Sequence, residues 1–247
     1  MNAIETRALS AGYKDRLVLK DIDIVIRKGK LTAIAGPNGS GKSTLLRTLI
    51  REKARNSGEI SVLGKDIDSF SPRSLAQMIA FTPQAEQLDV DFTVEEFVAL
   101  GRYPSSDVDN LDKVIEALSI AGIKELGARR ISSLSGGEKQ LSSIARAICQ
   151  ESEILLLDEP VSSLDPKHQK RILELLSDLV SRGKSVAAVL HSLDTILSYA
   201  DDCILLKDGR VFSQGDAAEV LTEENLKSVF EIECTIAAVK GRKVVLF

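Results

Sequence analysis

A chain of 247 residues has room for one large α/β domain or two small ones, with a sizeable core. With 44% hydrophobic residues, 28% charged residues and a net charge of −4, it lacks the basic balance of a nucleic-acid binder. No apolar run reaches the ~18 residues that cross a bilayer, and no secretory leader is visible. Cys149, Cys203 and Cys234 are too scattered for a metal site or a disulfide framework, so a reducing, cytosolic setting is expected.

In chain order, short alternating runs at 4–9, 17–20, 22–26 and later 59–63 predict an antiparallel sheet. Four unbroken apolar runs, at 31–35, 78–82, 154–157 and 186–190, suit parallel strands covered by helices on both faces. Helix-forming stretches lie at 45–50 and 170–181. Residues 85–150 read as a helical insert, amphipathic at 94–100, 111–118 and 138–150. A hairpin is expected at 204–213, because Asp208-Gly209 suits a type I′ turn, and a β-like tail covers 234–247. The expected fold is α/β, one domain with a mostly parallel core sheet, an N-terminal antiparallel β subdomain and an inserted helical subdomain. The core takes 1–84 and 151–247, and the insert takes 85–150.

Between the run 31–35 and the next helix stands Gly36-Pro37-Asn38-Gly39-Ser40-Gly41-Lys42-Ser43-Thr44, which fits the phosphate-binding pattern G-x-x-x-x-G-K-[ST]. Its glycines let backbone N–H groups turn inward around a phosphate, and the helix start adds unpaired N–H groups and a positive dipole end. Lys42 is suited to bridge the β- and γ-phosphates, and the Ser43 hydroxyl to ligate Mg²⁺. The chain is therefore expected to bind a nucleoside triphosphate on a P-loop NTPase fold.

The other apolar runs end in polar residues that would share the edge where such sheets bind ligands. Asp158 is placed as the acidic partner of Ser43 toward Mg²⁺, and Glu159 to polarise the water that attacks the γ-phosphate. His191, at the tip of the following strand, is expected at the γ-phosphate. His168 is expected at the surface or in packing. A second anion-binding helix start is written in Leu134-Ser135-Gly136-Gly137-Glu138, where Ser135 and Glu138 form an S-x-x-E capping box and the glycines leave N–H groups bare.

Taken together, these motifs resemble the ATP-binding cassette family over nearly the whole chain. Residues 134–138 match the family signature, and 36–44 and 154–159 its nucleotide motifs. Gln84, the segment 162–165 and His191 match the Q-loop, D-loop and switch histidine in order, and Tyr13 the aromatic that stacks on adenine. The resemblance implies ATP and Mg²⁺ as ligands, with Gln84 joining both the catalytic and the metal-binding groups and Asp165 near the nucleotide. It implies a head-to-tail homodimer in which each ATP lies between the loop 36–44 of one subunit and the Ser135–Glu138 terminus of the other. It also implies a membrane permease docking near 84–104, a substrate-binding protein reached indirectly, a peripheral place on the cytoplasmic side of the membrane, and no nucleic-acid partner.

The stretch 82–104, with Gly101-Arg102-Tyr103-Pro104 at its end, together with Leu164-Asp165 followed by His168-Gln169 and the β-like tail, looks like importers of iron–siderophore, haem or cobalamin complexes. Molybdate-type importers share much of this pattern. Val161 and Leu141 stand where family members often carry Thr and Arg, which removes no group needed for chemistry. The competing readings are a soluble assembly ATPase of the same family, as in iron–sulphur cluster biogenesis, and a cassette that binds ATP without turnover. Intact Lys42, Asp158, Glu159 and His191 speak against the last.

Overall fold

The computed structural model describes residues 2–13, 16–84, 91–105, 111–239 and 242–247. Within the stretch 82–104 singled out above, residues 85–90 lie outside the described residues, as do residues 240–241 of the tail. β1 (Asn2–Tyr13) and β2 (Arg16–Arg27) lead into β3 (Leu31–Ala35) and α1 (Lys42–Leu49). β4 (Arg55–Val62) and β5 (Lys65–Asp66) precede α2 (Pro72–Met78) and β6 (Ile79–Thr82). Helices α3 (Val94–Ala99), α4 (Leu111–Ile120) and α5 (Gly136–Cys149) follow. Next come β7 (Ile154–Leu157), α6 (Pro166–Ser181), β8 (Ser185–Val189), α7 (Leu193–Tyr199) and β9 (Asp202–Lys207). β10 (Arg210–Asp216), α8 (Ala217–Val220), α9 (Glu223–Phe230) and the strands β11 (Thr235–Val239) and β12 (Arg242–Leu246) complete the order.

The core sheet has the order β10-β9-β3-β8-β7-β6, in which every neighbouring pair is parallel except β9 with β10. Burial on both faces explains why its strands read as unbroken apolar runs. Along β7, Leu155 and Leu157 enter one hydrophobic cluster with the helices α5 and α6. Ile154 and Leu156 enter a second, with α1 and the antiparallel sheet. The sheet has one more parallel strand than the four runs predicted. β9 is half of the expected hairpin and also pairs with β3 along 202–205. That hairpin turns at Asp208 (φ 52°) and Gly209 (φ 77°), both positive as a type I′ turn requires.

The N-terminal strands form the antiparallel sheet β2-β1-β4-β5. Two differences from the sequence reading have one cause. The runs 17–20 and 22–26 are a single strand, with Asp21 at φ 51° marking a bulge between them, and β4 starts at Arg55 inside the charged segment 51–56. Backbone pairing with β1 (Ser10 with Ser57, Ala11 with Arg55) holds these residues, and side-chain polarity does not report it. The tail forms the hairpin β11–β12, and Asp194 on α7 accepts from the Val245 N–H at 2.7 Å. Among the described residues, no helix is long and apolar enough to cross a membrane.

The parallel register decides where the chemistry gathers. Thr82 pairs with Leu157, Leu157 with Ala188, and Ile34 with Val189, so the strand ends align. Gly36, Gln84, Asp158 and His191, each one or two residues past its strand, therefore meet at one sheet edge.

Candidate active site

The loop 36–41 joins β3 to α1 in a conformation that needs its glycines. Gly36 has φ 147°, and a Cβ there would run into the Leu206 carbonyl oxygen. Gly39 and Gly41 are also left-handed, at φ 78° and 104°. Lys42 is buried, and its Nζ donates to the carbonyls of Gly36 at 2.8 Å and Pro37 at 3.0 Å. Burial pulls its amine below the ordinary lysine value, while Glu159 and Asp158 act in the opposite sense. Asn38 and Gly39 are exposed at the loop tip, Thr44 is buried on α1, and the buried Ser40 Oγ has no hydrogen-bond partner among the described residues.

At the end of β7, Asp158 is only 2% exposed and accepts from Ser43 Oγ at 3.0 Å. Desolvation pushes its carboxyl above the usual carboxylate range, and the Ser43 hydrogen bond opposes that shift in part. Glu159 takes the left-handed conformation (φ 52°). Gln84 Nε2 donates to Glu159 Oε2 at 2.9 Å, and His191 Nε2 lies 2.8 Å from Glu159 Oε1. Two residues from two other strand ends thus converge on the Glu159 carboxylate. Tyr13, at the end of β1, is 49% exposed, and Lys53 Nζ stands 3.9 Å from the centre of its ring.

The second expected anion site sits on α5. Both halves of the capping box are formed, since the Glu138 N–H donates to Ser135 Oγ at 3.4 Å and the Ser135 N–H to Glu138 Oε2 at 2.8 Å. The Ser135 backbone bond is the main reason that the Glu138 carboxyl is held below its usual range, and the Ser135 hydroxyl adds to it. Ser135 and Gly136 are exposed and Gly137 is buried. Asp165 caps α6, accepting from the N–H groups of Lys167 at 2.9 Å and His168 at 3.0 Å and pairing with His168 Nδ1 at 2.6 Å. The His168 backbone bond leads in holding the Asp165 carboxyl down.

The sequence pattern that defines the ABC transporter family matches residues 19–162. The chain belongs to that family. Across 96% of its length it is 39% identical to the Iron(3+)-hydroxamate import ATP-binding protein FhuC of Bacillus subtilis, covering 90% of that protein. It is 36% identical to the Hemin import ATP-binding protein HmuV of Thermobifida fusca, over 94% of this chain and 83% of the relative. The solved structure of cbiO1 from Clostridium perfringens, part of the ABC transporter complex cbiONQ, superposes with a TM-score of 0.82. The identity there is 30%, over 92% of this chain and 93% of the other. As an ABC transporter ATPase, the chain binds and hydrolyses ATP, works with a permease and is associated with a membrane.

One residue in contact with this machinery, Lys53, has no place in the sequence reading, whereas the expected packing of His168 is borne out by its ring against Gly137. Lys53 could not be linked to Tyr13, because a loop after α1 brings together residues far apart in sequence. For His168 the packing expectation holds, and the added finding is its contact with Asp165. Its i, i+3 spacing from the α6 cap was the signal available, since side chains three apart on a helix meet.

Proposed function

We propose that this chain is the ATP-hydrolysing subunit of a membrane importer for iron–siderophore, haem or cobalamin complexes. The observation that carries the reading is the convergence of Gln84 and His191 on Glu159, beside Lys42 and the Ser43–Asp158 pair. The loop Gly36-Pro37-Asn38-Gly39-Ser40-Gly41-Lys42-Ser43-Thr44 cradles the phosphates with its N–H groups. Lys42 leaves the loop carbonyls for the β- and γ-phosphates, and Tyr13 offers its exposed ring to adenine. Glu159 is the base toward the attacking water, held in position by Gln84 and His191, and His191 senses the γ-phosphate.

The donors suit Mg²⁺, a hard cation that takes oxygen ligands and keeps several waters. The Ser43 hydroxyl, the buried Asp158 carboxylate and the amide oxygen of Gln84 would hold it. Bound there, it would neutralise charge on the phosphate oxygens. The Ser40 Oγ inside the loop, unpartnered among the described residues, fits a site shaped for a further polar ligand.

Two copies pair head to tail, and the Ser135, Gly136, Gly137 and Glu138 terminus of one faces the ATP on the other, with Asp165 beside that seam. The helical lobe 85–150 carries this terminus, while 1–84 and 151–247 carry the nucleotide. The permease docks on 84–104, where Phe92 (40% exposed), Leu100 (48%) and Tyr103 (90%) present apolar surface. A substrate-binding protein enters only through that permease, and the chain works on the cytoplasmic face without a nucleic-acid partner. FhuC and HmuV, both named as import ATP-binding proteins, support import over soluble assembly. Co-expression with a permease, followed by ATP-driven uptake in vesicles of ferric hydroxamate, haem and cobalamin, tests the reading. Uptake of one of the three is expected. Steady ATPase activity with no permease association and no uptake would overturn it.

A further inference from the structure

His168 stands on the first turn of α6 and meets two elements at once. Its Nδ1 pairs with Asp165 Oδ2 at 2.6 Å. Its ring fills the space that a side chain at Gly137 would need, since a Cβ there would lie 2.5 Å from Cγ and 2.9 Å from Nε2. Alongside, Leu164 Cδ2 lies 3.8 Å from the corresponding point above Gly136, and the Leu164 carbonyl accepts from Gln169 Nε2 at 2.9 Å. The same loop is braced at its other end, where the Ser162 N–H and Oγ both donate to the Glu159 carbonyl, at 3.2 and 3.0 Å. Through the short loop 159–165 that follows β7, these contacts therefore connect Glu159 to the first turn of α5.

The α6 cap does not need this ring. Asp165 is already supplied by two backbone N–H groups, so any residue tolerated in a helix would complete the turn at 168. Gly137 points the same way. The seated imidazole leaves no room there for even an alanine methyl.

We propose that His168 is a positioning residue for ATP hydrolysis, whose ring seated on Gly137 locks the α5 terminus serving one nucleotide to the Glu159 loop serving the other, with the Asp165 contact only orienting that ring. The proposal rests on the head-to-tail dimer above. In that dimer the two ends of this connection address different ATP molecules, so a shift at one site reaches the other through packed contacts inside a single chain.

The test uses the full-length chain, with ATP turnover measured against ATP and against protein concentration. For His168→Ala, the Hill coefficient is expected to fall from near 2 toward 1, the limits for two coupled and two independent sites. The kcat should drop about fivefold, within the range for residues that relay between sites. Nucleotide affinity of the dilute monomer and the melting temperature should match the parent. His168→Phe keeps a ring on Gly137 and should retain most of the coupling, whereas His168→Asn keeps a partner for Asp165 and should not. This pair decides the matter even if the alanine variant folds poorly. Parental coupling and kcat in His168→Ala, or full recovery in His168→Asn, overturns the role of His168 alone. A parent enzyme whose turnover per chain is non-cooperative and independent of protein concentration overturns the dimer, and this proposal with it.

Discussion

Asp158 serves two opposed demands. A carboxylate beside Ser43 is what a divalent cation needs, but burial makes its charge costly in the nucleotide-free protein. Its carboxyl titrates above the usual range when folded, so between the unfolded and folded values the native state binds more protons than the unfolded chain. Stability therefore falls as pH rises through that window. Asp158→Asn keeps an acceptor for the Ser43 hydroxyl and removes the charge. We expect it to melt higher than the parent at neutral pH, with the gap closing in acid below the ordinary carboxylate range, and to lose hydrolysis. Melting curves across pH check this, and a variant no more stable at neutral pH contradicts it. At Glu159 the argument concerns rate. Glu159→Gln preserves the shape that Gln84 and His191 grip but cannot accept a proton. Turnover should drop by about 10²–10⁴, the usual contribution of a positioned base, while ATP binding survives. Single-turnover assays with filter binding separate the two, and hydrolysis within tenfold of the parent refutes the base assignment.

At the scale of elements, the α5 start does double duty as a helix cap and as the proposed anion site. Ser135→Ala removes the acceptor for the Glu138 N–H and should cost about 1 kcal/mol in a urea unfolding series. The Glu138 carboxyl, held low by its partners at Ser135, contributes stability at neutral pH that is lost as pH falls through that lowered value. An unchanged unfolding midpoint would mean that the cap is idle. The capping box was legible because its two residues are three apart. β7 was legible for another reason, because the faces of Ile154 and Leu156 and of Leu155 and Leu157 enter different cores and leave no polar position. The start of β4 and the continuity of β2 were not legible, since main-chain pairing with β1 holds Arg55 and the residues Leu19 and Ile22 on either side of Asp21, and the Ser10 hydroxyl accepts from the Asp21 N–H, whatever the side chains of Arg55 and Asp21 prefer.

At the scale of the whole molecule, the head-to-tail arrangement makes a quantitative claim. Lys42→Ala disables the phosphate loop of its own subunit, and Ser135→Arg blocks the site of the opposite subunit. Each variant alone should be inactive. In an equimolar mixture, half the dimers are mixed and carry one intact site of two, so activity should return, to about a quarter of the parental value at most and to less where turnover needs both coupled sites. ATPase assays on the mixture check it, and no recovery would argue that each chain builds its site alone. The sequence by itself determined the local devices: the glycine loop, the capping box, the apolar strands and the polar residue after each. Those depend on backbone conformation and side-chain period over a few neighbouring positions. Only the tertiary structure decided that Gln84, Glu159 and His191 touch, that Lys53 stands over Tyr13, and that His168 rests on Gly137. Such contacts follow from strand order and helix packing, which are set by the burial of the entire chain, and no short stretch of residues carries that information.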